Sequence, residues 1–122
     1  EELRQRFGSR IVPVSWSSAA DQLDDCSLLV NTTSLGMKGQ PELAFDLARL
    51  PQGAVVTDIV YTPLRTALLE RAAQRGHPVV EGLGMLLHQA VRGFRLWFGT
   101  TPEVTQDLHD LVARDIDPGF RS

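Results

Sequence analysis

Hydroxyl and amide side chains are concentrated in one short segment, Asn31-Thr32-Thr33-Ser34, which directly follows the apolar run Leu28-Leu29-Val30. An amide both donates and accepts hydrogen bonds, and hydroxyl groups bind ribose or phosphate oxygens in the same two ways. Residues just after a buried strand lie at the carboxyl edge of a parallel sheet, where such sheets bind their ligands. The segment is therefore a candidate ligand-binding loop. An Asx turn capped by hydroxyl groups would use the same residues without a ligand, and both interpretations stay open.

A second chemical group, the phenol of Tyr61, follows the strongest strand-like segment, residues 54–60. A phenol at that place would reach over the strand ends and hydrogen-bond a polar substrate. The alternative is a tyrosine whose ring closes the rim of the core. Asp58 lies inside the same apolar run, where an unpaired carboxylate is costly. We therefore expect Asp58 to be hydrogen-bonded and to orient neighbouring loops.

The third candidate group is the amide of Gln89, on a predicted helix that begins near Gly82. At about 3.6 residues per turn, Gln89, Met85 and Gly82 share one helix face, and that face begins at the strand ends. An amide there would hold a hydroxylated substrate while Met85 and Leu86 press on an apolar ring. The alternative is a solvated glutamine, with the methionine and leucine in the core.

The elements that must place these groups alternate between strands and helices. Strands are predicted at residues 11–14, 27–30, 54–60 and 79–80, and helices at residues 1–7, 17–23, 64–75, 83–98 and 101–113. Thr62 and Pro63 are the predicted start of the third helix, and residues 43–50 suggest a short helix or a turn. This order predicts right-handed crossovers and a parallel sheet with helices on both faces. Asn31, Tyr61 and Gly82 should then lie on one edge of the sheet.

The fold class predicted from this order is α/β, with a Rossmann-like doubly wound parallel sheet. No predicted strand runs into a Gly-x-Gly-x-x-Gly turn, which is where such folds seat a pyrophosphate. We therefore interpret the sheet as incomplete, with the first βαβ unit missing. The order of elements in residues 1–114 fits most of a doubly wound fold, or its second half. Residues 115–122 contain Pro, Gly and charged residues and are expected to form a flexible tail.

Composition narrows the class of protein and of partner. The 122 residues fit one domain, and 43% hydrophobic with 22% charged residues is ordinary for a soluble globular chain. A net charge of -3 without basic clusters favours small molecules over nucleic acid or a membrane as partners. The single cysteine and three scattered histidines predict no metal site, and no signal peptide opens the chain, which favours the cytoplasm.

Three motifs taken together resemble the shikimate dehydrogenase family, which includes quinate/shikimate dehydrogenases. The motifs match in order and spacing, and the resemblance runs from about Cys26 to Pro102. They are Asn31-Thr32-Thr33-Ser34-Leu35-Gly36-Met37, Asp58-Ile59-Val60-Tyr61-Thr62-Pro63 with Thr66-Ala67-Leu68-Leu69, and Gly82-Leu83-Gly84-Met85-Leu86-Leu87-His88-Gln89-Ala90.

The resemblance implies the reduction of 3-dehydroshikimate to shikimate with NADPH, a step of the shikimate pathway in aromatic amino acid biosynthesis. Tyr61 and Gln89 match the substrate-contacting residues of the family. NADP is the implied cofactor, with NAD possible, and shikimate is not separated from quinate as the substrate. Six residues match positions beside the cofactor: Thr33, Ser34, Ile59, Gly82, Met85 and Leu86.

The resemblance does not include the family's catalytic lysine and aspartate, which belong to an N-terminal substrate domain. Lys38 is the only lysine here and lies in no matching motif, so no catalytic residue is predicted in this chain. The stretch that meets the adenosine 2′-phosphate also has no counterpart. The resemblance therefore implies that residues 1–114 form the C-terminal portion of a dinucleotide-binding domain. We expect the missing N-terminal domain of the same protein as a partner and expect this chain alone to be inactive. A non-catalytic dinucleotide- or metabolite-binding module derived from the family is the alternative.

Overall fold

A three-stranded parallel sheet is the centre of the computed structural model, which describes residues 2–121. Its strands are β1 (Leu28–Asn31), β2 (Val55–Asp58) and β3 (Val79–Val80), in the order β1-β2-β3. The register pairs Asn31 with Asp58 and Thr57 with Val80, so the three carboxyl ends meet at one edge. The predicted parallel α/β sheet is confirmed. Residues 1 and 122, the first of a predicted helix and the last of the predicted tail, lie outside the described part.

Within residues 2–121, four α-helices accompany the sheet. They are α1 (Glu2–Phe7), α2 (Ala67–Gln74), α3 (Gly82–Phe98) and α4 (Gln106–Ile116). Two 3₁₀ segments, Gly8–Arg10 and Trp16–Gln22, lie between α1 and β1. The second of them lies where the sequence predicts a brief helix, at residues 17–23. Within residues 43–50, where the sequence suggests a short helix or a turn, a turn forms at residues 48–49.

The larger core lies between α2 and one face of the sheet. Leu68, Leu69 and Ala72 share one side of α2 and pack with Val56 of β2 in the same buried cluster. Complete burial of a leucine or valine side chain contributes about 1.5–3 kcal/mol. Three loop leucines extend the cluster: Leu43, Leu47 and Leu50. Burial of this apolar stripe therefore holds α2 against the strands and fixes where its first residue lies.

The opposite face of the sheet is apolar and open. Successive strand residues point to opposite faces, so Leu28 and Val30 of β1 turn away from the larger core. Their exposed fractions are 56% and 40%, and Val80 of β3 is 52% exposed. Among the described residues, the two faces of the sheet therefore differ, one packed and the other presenting apolar side chains.

A second, smaller core joins α3 to α4. Leu83 of α3, Ala113 of α4 and Leu64 are its buried members. Leu86 and Phe120 are among the partly buried side chains packed against it. Phe120 belongs to the segment predicted as a tail, so that segment contributes at least one side chain to the packing. The cluster fixes the orientation of α3 along its first two turns.

The predicted start of α2 is wrong. The helix begins at Ala67 rather than after Thr62-Pro63, and Thr66 is its N-cap. The Thr66 hydroxyl accepts a hydrogen bond from the backbone N–H of Leu69 at 3.4 Å and donates one to Asp58 at 2.8 Å. Both threonines suit a helix start on sequence grounds. The helix starts after Thr66, whose hydroxyl is also hydrogen-bonded to the buried carboxylate of Asp58.

The predicted bounds of α4 are also wrong. The helix runs from Gln106 to Ile116 instead of residues 101–113, and its N-cap is Thr105, whose hydroxyl accepts from the backbone N–H of Leu108 at 3.2 Å. The Thr-Pro pair at residues 101–102 also suits a helix start on sequence grounds. An N-cap forms, however, only where the side chain can accept a hydrogen bond from a free backbone N–H in the first turn of a helix.

The strand predicted at residues 11–14 is not formed. Val12 and Val14 are 73% and 46% exposed, and none of the described strands pairs with the segment. A strand is stabilised by a neighbouring strand that accepts and donates its backbone hydrogen bonds. Pro13 has no N–H to donate, which weakens the segment further. The sheet therefore has three strands over residues 2–121, where the sequence predicts four.

Candidate functional site

The segments that carry the predicted site residues all begin at the carboxyl edge of the sheet. Asn31, the last residue of β1, and residues 32–36 after it are together called the first edge loop. Residues 59–63 follow β2 and are called the second edge loop. The helix α3 starts at Gly82, two residues after the end of β3. The structure thus gathers at one edge the three segments that the sequence motifs single out.

The first edge loop is organised by the side chain of Asn31, which is 4% exposed. Its Oδ1 accepts hydrogen bonds from the backbone N–H of Thr33 at 3.0 Å and from the Thr33 hydroxyl at 2.8 Å. The Thr33 hydroxyl in turn accepts from the N–H of Leu35 at 3.1 Å. The Asx turn considered from the sequence is therefore present. Thr33 is a structural member of it, whereas Ser34 is exposed.

Asp58 is the centre of a buried hydrogen-bonded cluster that we call the Asp58 junction. Its Oδ1 accepts from the Asn31 side-chain amide at 3.0 Å and from the backbone N–H of Val60 at 2.9 Å. Its Oδ2 accepts from the Thr66 hydroxyl at 2.8 Å. Asp58 is 0% exposed, so these donors replace the water that a carboxylate otherwise needs. The expectation that Asp58 is hydrogen-bonded is confirmed.

Tyr61 is presented by the second edge loop, which is hydrogen-bonded to the end of β1 and to the chain that follows it. The N–H of Ile59 donates to the Asn31 carbonyl at 3.1 Å, and the N–H of Lys38 donates to the Thr62 carbonyl at 2.8 Å. Tyr61 is 38% exposed. A ring with that exposure is accessible at the sheet edge, which favours contact with a ligand over a ring enclosed at the rim of the core.

Gly82 allows α3 to start directly against the end of β2. A Cβ atom at this position would lie 2.6 Å from the carbonyl oxygen of Val60, 2.7 Å from that of Ile59 and 2.8 Å from that of Asp58. Such distances are far below van der Waals contact, so any larger residue would displace the helix. Gly84, in the same helical turn, has nothing within 4 Å of its Cβ position. The backbone contact at Gly82 therefore holds the first turn of α3 beside the second edge loop.

The face of α3 that begins at Gly82 is accessible further along the helix. Met85 is 48% exposed, and Gln89 is also exposed. Leu86 is half-buried and packs against the second core, so packing already occupies part of its surface. Of the predicted residues on this helix, Met85 and Gln89 are the ones whose side chains are open to a ligand.

Sequence reasoning missed one residue of this arrangement, Thr66. The sequence predicts a helix over residues 64–75, which places Thr66 inside that helix rather than at its start. The second role of Thr66, besides capping α2, depends on Asp58, eight residues earlier, and a strand-to-helix connection of that length does not by itself predict a side-chain contact. The sequence feature that could have indicated this role is a hydroxyl residue, Thr66, a short distance along the chain from Asp58, a carboxylate that requires hydrogen-bond donors when it is buried.

A cleft of about 820 Å³ borders both edge loops, at Gly36, Thr62 and Pro63. Residues of both charges line it, including Lys38, Arg65, Glu81 and Asp117. None of the predicted substrate- or cofactor-binding residues is among its lining residues. Within residues 2–121, no helix combines the length and the apolar character that crossing a membrane would require.

The family profile and the sequence relatives that match this chain all belong to the shikimate dehydrogenases. The profile of the shikimate 5'-dehydrogenase C-terminal domain matches residues 82–107. The shikimate dehydrogenase (NADP(+)) of Rhodopseudomonas palustris strain TIE-1 is 58% identical over 118 residues, which is 97% of this chain and 42% of that protein. The corresponding protein of Chelativorans sp. strain BNC1 is 61% identical over 93% of this chain and 41% of its own length. The chain therefore spans about two fifths of the length of these relatives.

Solved structures agree with the sequence relatives. Shikimate 5-dehydrogenase from Thermus thermophilus, in complex with NADP(H) and shikimate, matches with a TM-score of 0.73 and 31% identity over 94% of this chain and 41% of that one. Quinate dehydrogenase from Corynebacterium glutamicum, in complex with NAD, matches with a TM-score of 0.70 and 33% identity over 89% of this chain and 36% of that one. The α/β fold is thus the Rossmann-like fold of these enzymes, and the resemblance to the shikimate dehydrogenase family that the three motifs predict is confirmed.

Proposed function

We propose that this chain supplies the nicotinamide side of the cofactor site and part of the substrate site of an NADP-dependent shikimate dehydrogenase of the cytoplasm. The observation that carries the proposal is the contact at Gly82, which sets the accessible face of α3 beside the second edge loop. The activity is assigned to the protein as a whole. In the oxidation direction, shikimate gives a hydride to NADP and a proton to a base, and becomes 3-dehydroshikimate.

The residues at the edge fit the nicotinamide end of NADP or NAD. Met85 and the half-buried Ile59 offer apolar side chains to a flat ring, and the buried Gly82 lets the first turn of α3 lie directly against the second edge loop. Thr33 and Ser34 lie on the neighbouring first edge loop and are the proposed polar contacts. Leu86 supports the same face from the second core. When bound, the cofactor supplies the hydride acceptor or donor, and these residues exclude water and orient the ring.

The polar side chains suit a ligand that carries several hydroxyl groups. The Tyr61 hydroxyl can both donate and accept a hydrogen bond, and the Gln89 amide offers both a carbonyl and an amino group. We assign both residues to binding and orientation of shikimate or 3-dehydroshikimate. No residue of this chain is assigned the proton transfer, which we place in an N-terminal domain of the same protein, the partner expected from the resemblance.

A chimera tests the proposal directly. This chain replaces the matching part of the R. palustris enzyme, and shikimate-dependent formation of NADPH is followed by absorbance. We expect the chimera to oxidise shikimate with NADP. In the same chimera, Gly82→Ala pushes α3 away from the strand end and should lower kcat/KM by at least about tenfold, as expected when reacting groups are misplaced.

Gly84→Ala is the matched control, because it adds the same methyl group to the same helical turn in open space. It should leave kcat/KM within about a factor of three, since surface substitutions without new contacts are nearly neutral. A folded chimera that does not turn over shikimate, or equal effects of the two alanine substitutions, would contradict the proposed site.

A further inference from the structure

We propose that Asp58 is a positioning residue that holds the two edge loops in one fixed relation, and with them the substrate and cofactor contacts. This inference rests on the proposed function and extends it to a residue that touches no ligand. Asp58 is 0% exposed, so it acts only through the groups bonded to it. Its carboxylate is the one group in the Asp58 junction that contacts all three segments that meet there.

The three hydrogen bonds of Asp58 go to three different segments. The Asn31 side chain belongs to the first edge loop, the Val60 N–H to the second edge loop, and the Thr66 hydroxyl to the start of α2. Within residues 2–121, no basic side chain forms an ion pair with Asp58. A carboxylate held only by directed donors fixes the position of each donor, and bonds to an ionised acceptor are the shorter and stronger kind.

The bonds continue from the Asp58 junction into the residues that carry the proposed contacts. The Asn31 side chain, held by Asp58 through its amino group, accepts hydrogen bonds at its Oδ1 from the backbone N–H and the hydroxyl of Thr33. Val60 is the residue directly before Tyr61, and the carbonyl of Asn31 also holds the N–H of Ile59. A shift of the carboxylate therefore moves both loops. Hydride transfer is sensitive to such a shift, because misplacing the reacting groups by about 1 Å costs on the order of 100-fold in rate.

Thr66→Val is the most informative substitution, because it removes one donor to Asp58 and adds no charge. Thr66 also caps α2, so a loss of stability is expected with any role. Thr105→Val is the matched control, since the Thr105 hydroxyl caps α4 in the same way and lies on a different helix. Thr66→Ser keeps the hydroxyl and serves as the conservative rescue. All variants are made in the chimera described above.

In the chimera, we expect Thr66→Val to lower kcat about tenfold, the effect of one lost hydrogen bond, while the KM values for shikimate and NADP change less. Thr66→Ser should restore most of the rate, and Thr105→Val should leave kcat unchanged. With shikimate deuterated at the carbon that is oxidised, the isotope effect on kcat should rise in Thr66→Val only. An unchanged kcat and isotope effect in Thr66→Val, or the same losses in Thr105→Val, would overturn the inference.

A second measurement is independent of activity. Hydrogen exchange of the isolated chain should show faster exchange of the Val60 and Thr33 amides in Thr66→Val by at least about tenfold, with Val56 of β2 as the internal reference. Thr105→Val should not change these ratios. If Thr66→Val does not fold, Asp58→Asn keeps the shape of the side chain and is measured in its place. An inactive unsubstituted chimera would refute the proposed function alone, whereas unchanged exchange at both amides would refute the coupling of the loops.

Discussion

Tyr61 and Gln89 reach the same edge of the sheet from two different elements, a loop and a helix. Each is exposed in this structure, so folding of the chain carries no desolvation cost for either polar group. A hydrogen bond made by such a group is desolvated only in the complex, where its loss leaves a ligand group unsatisfied. Substitutions at these positions should therefore affect binding of the substrate and leave folding nearly unchanged.

Gln89→Ala in the chimera should weaken binding of shikimate more than binding of NADP. The loss of a buried hydrogen bond costs about 1–3 kcal/mol, or roughly one to two decades in affinity. Dissociation constants for both ligands, measured by calorimetry, give the comparison. His88→Ala is the control, because His88 is exposed on the same helix and points to a different side. Equal effects of Gln89→Ala on both ligands, or no effect, would contradict the substrate role.

The sequence predicts the role of a residue best where a polar side chain stands in an apolar run. Asp58 in an apolar run must be hydrogen-bonded wherever it is buried, so its role as an acceptor follows from the sequence alone. Leu86 is compatible with every position on an amphipathic helix, and its packing against the second core depends on where α4 lies. The sequence has no signal for that, because it concerns two elements at once.

Helix α4 contains a carboxylate, that of Asp110, whose ionisation contributes to the stability of the fold. The hydrogen bond from the Gln106 side-chain amide, 2.7 Å long, holds the pKa of the Asp110 carboxyl below its usual range, and His109 adds to the effect. A pKa that is lower in the folded state gives stability at neutral pH. That stability is lost as the pH falls below the ordinary value of 3.8 and through the folded-state value.

Asp110→Asn should therefore lower the free energy of unfolding at pH 7, and its difference from the unsubstituted chain should shrink as the pH falls below 3.8. Urea denaturation at a series of pH values measures both quantities. Gln106→Met removes the donor, keeps the carboxylate, and should flatten the same part of the pH profile. A difference between Asp110→Asn and the unsubstituted chain that stays constant through the acid range would contradict this assignment.

Strands and helices were predictable from the sequence to different degrees. The apolar runs of β1 and β2 and the glycine that ends α3 are local signals, and Gly99 indeed has a left-handed φ of 71°. The start of α2 is decided by Asp58, a tertiary partner of Thr66, so a local rule chose the wrong threonine. The segment at residues 11–14 has a strand-like pattern, but pattern alone supplies no neighbouring strand.

At the scale of the whole molecule, the proposed site is only one end of a dinucleotide site. The sequence has no Gly-x-Gly-x-x-Gly turn, the feature that anchors the pyrophosphate of such cofactors through backbone N–H groups and a helix N-terminus. What the edge offers is apolar contact with one ring and a few polar groups. Affinity for the cofactor should therefore depend on the parts of the protein that carry the phosphate contacts.

The isolated chain should show no shikimate oxidation and should bind NADP no better than about 1 mM, which corresponds to about 4 kcal/mol. Calorimetry on the purified chain and an assay with shikimate and NADP give the two measurements. The chimera serves as the positive control for both. Binding in the micromolar range, or turnover by a demonstrably pure sample, would show that the cofactor site and the catalytic residues have been misplaced.

The open face of the sheet affects how the folded state of this chain can be recognised in solution. Fluorescent dyes that bind exposed apolar surface are commonly used to detect loosely packed, partly folded states. Leu28, Val30 and Val80 present such a surface in the ordered structure, beside a core that is fully packed. Dye fluorescence from this chain at neutral pH would therefore not indicate a molten state, and near-ultraviolet circular dichroism is the appropriate criterion for native packing.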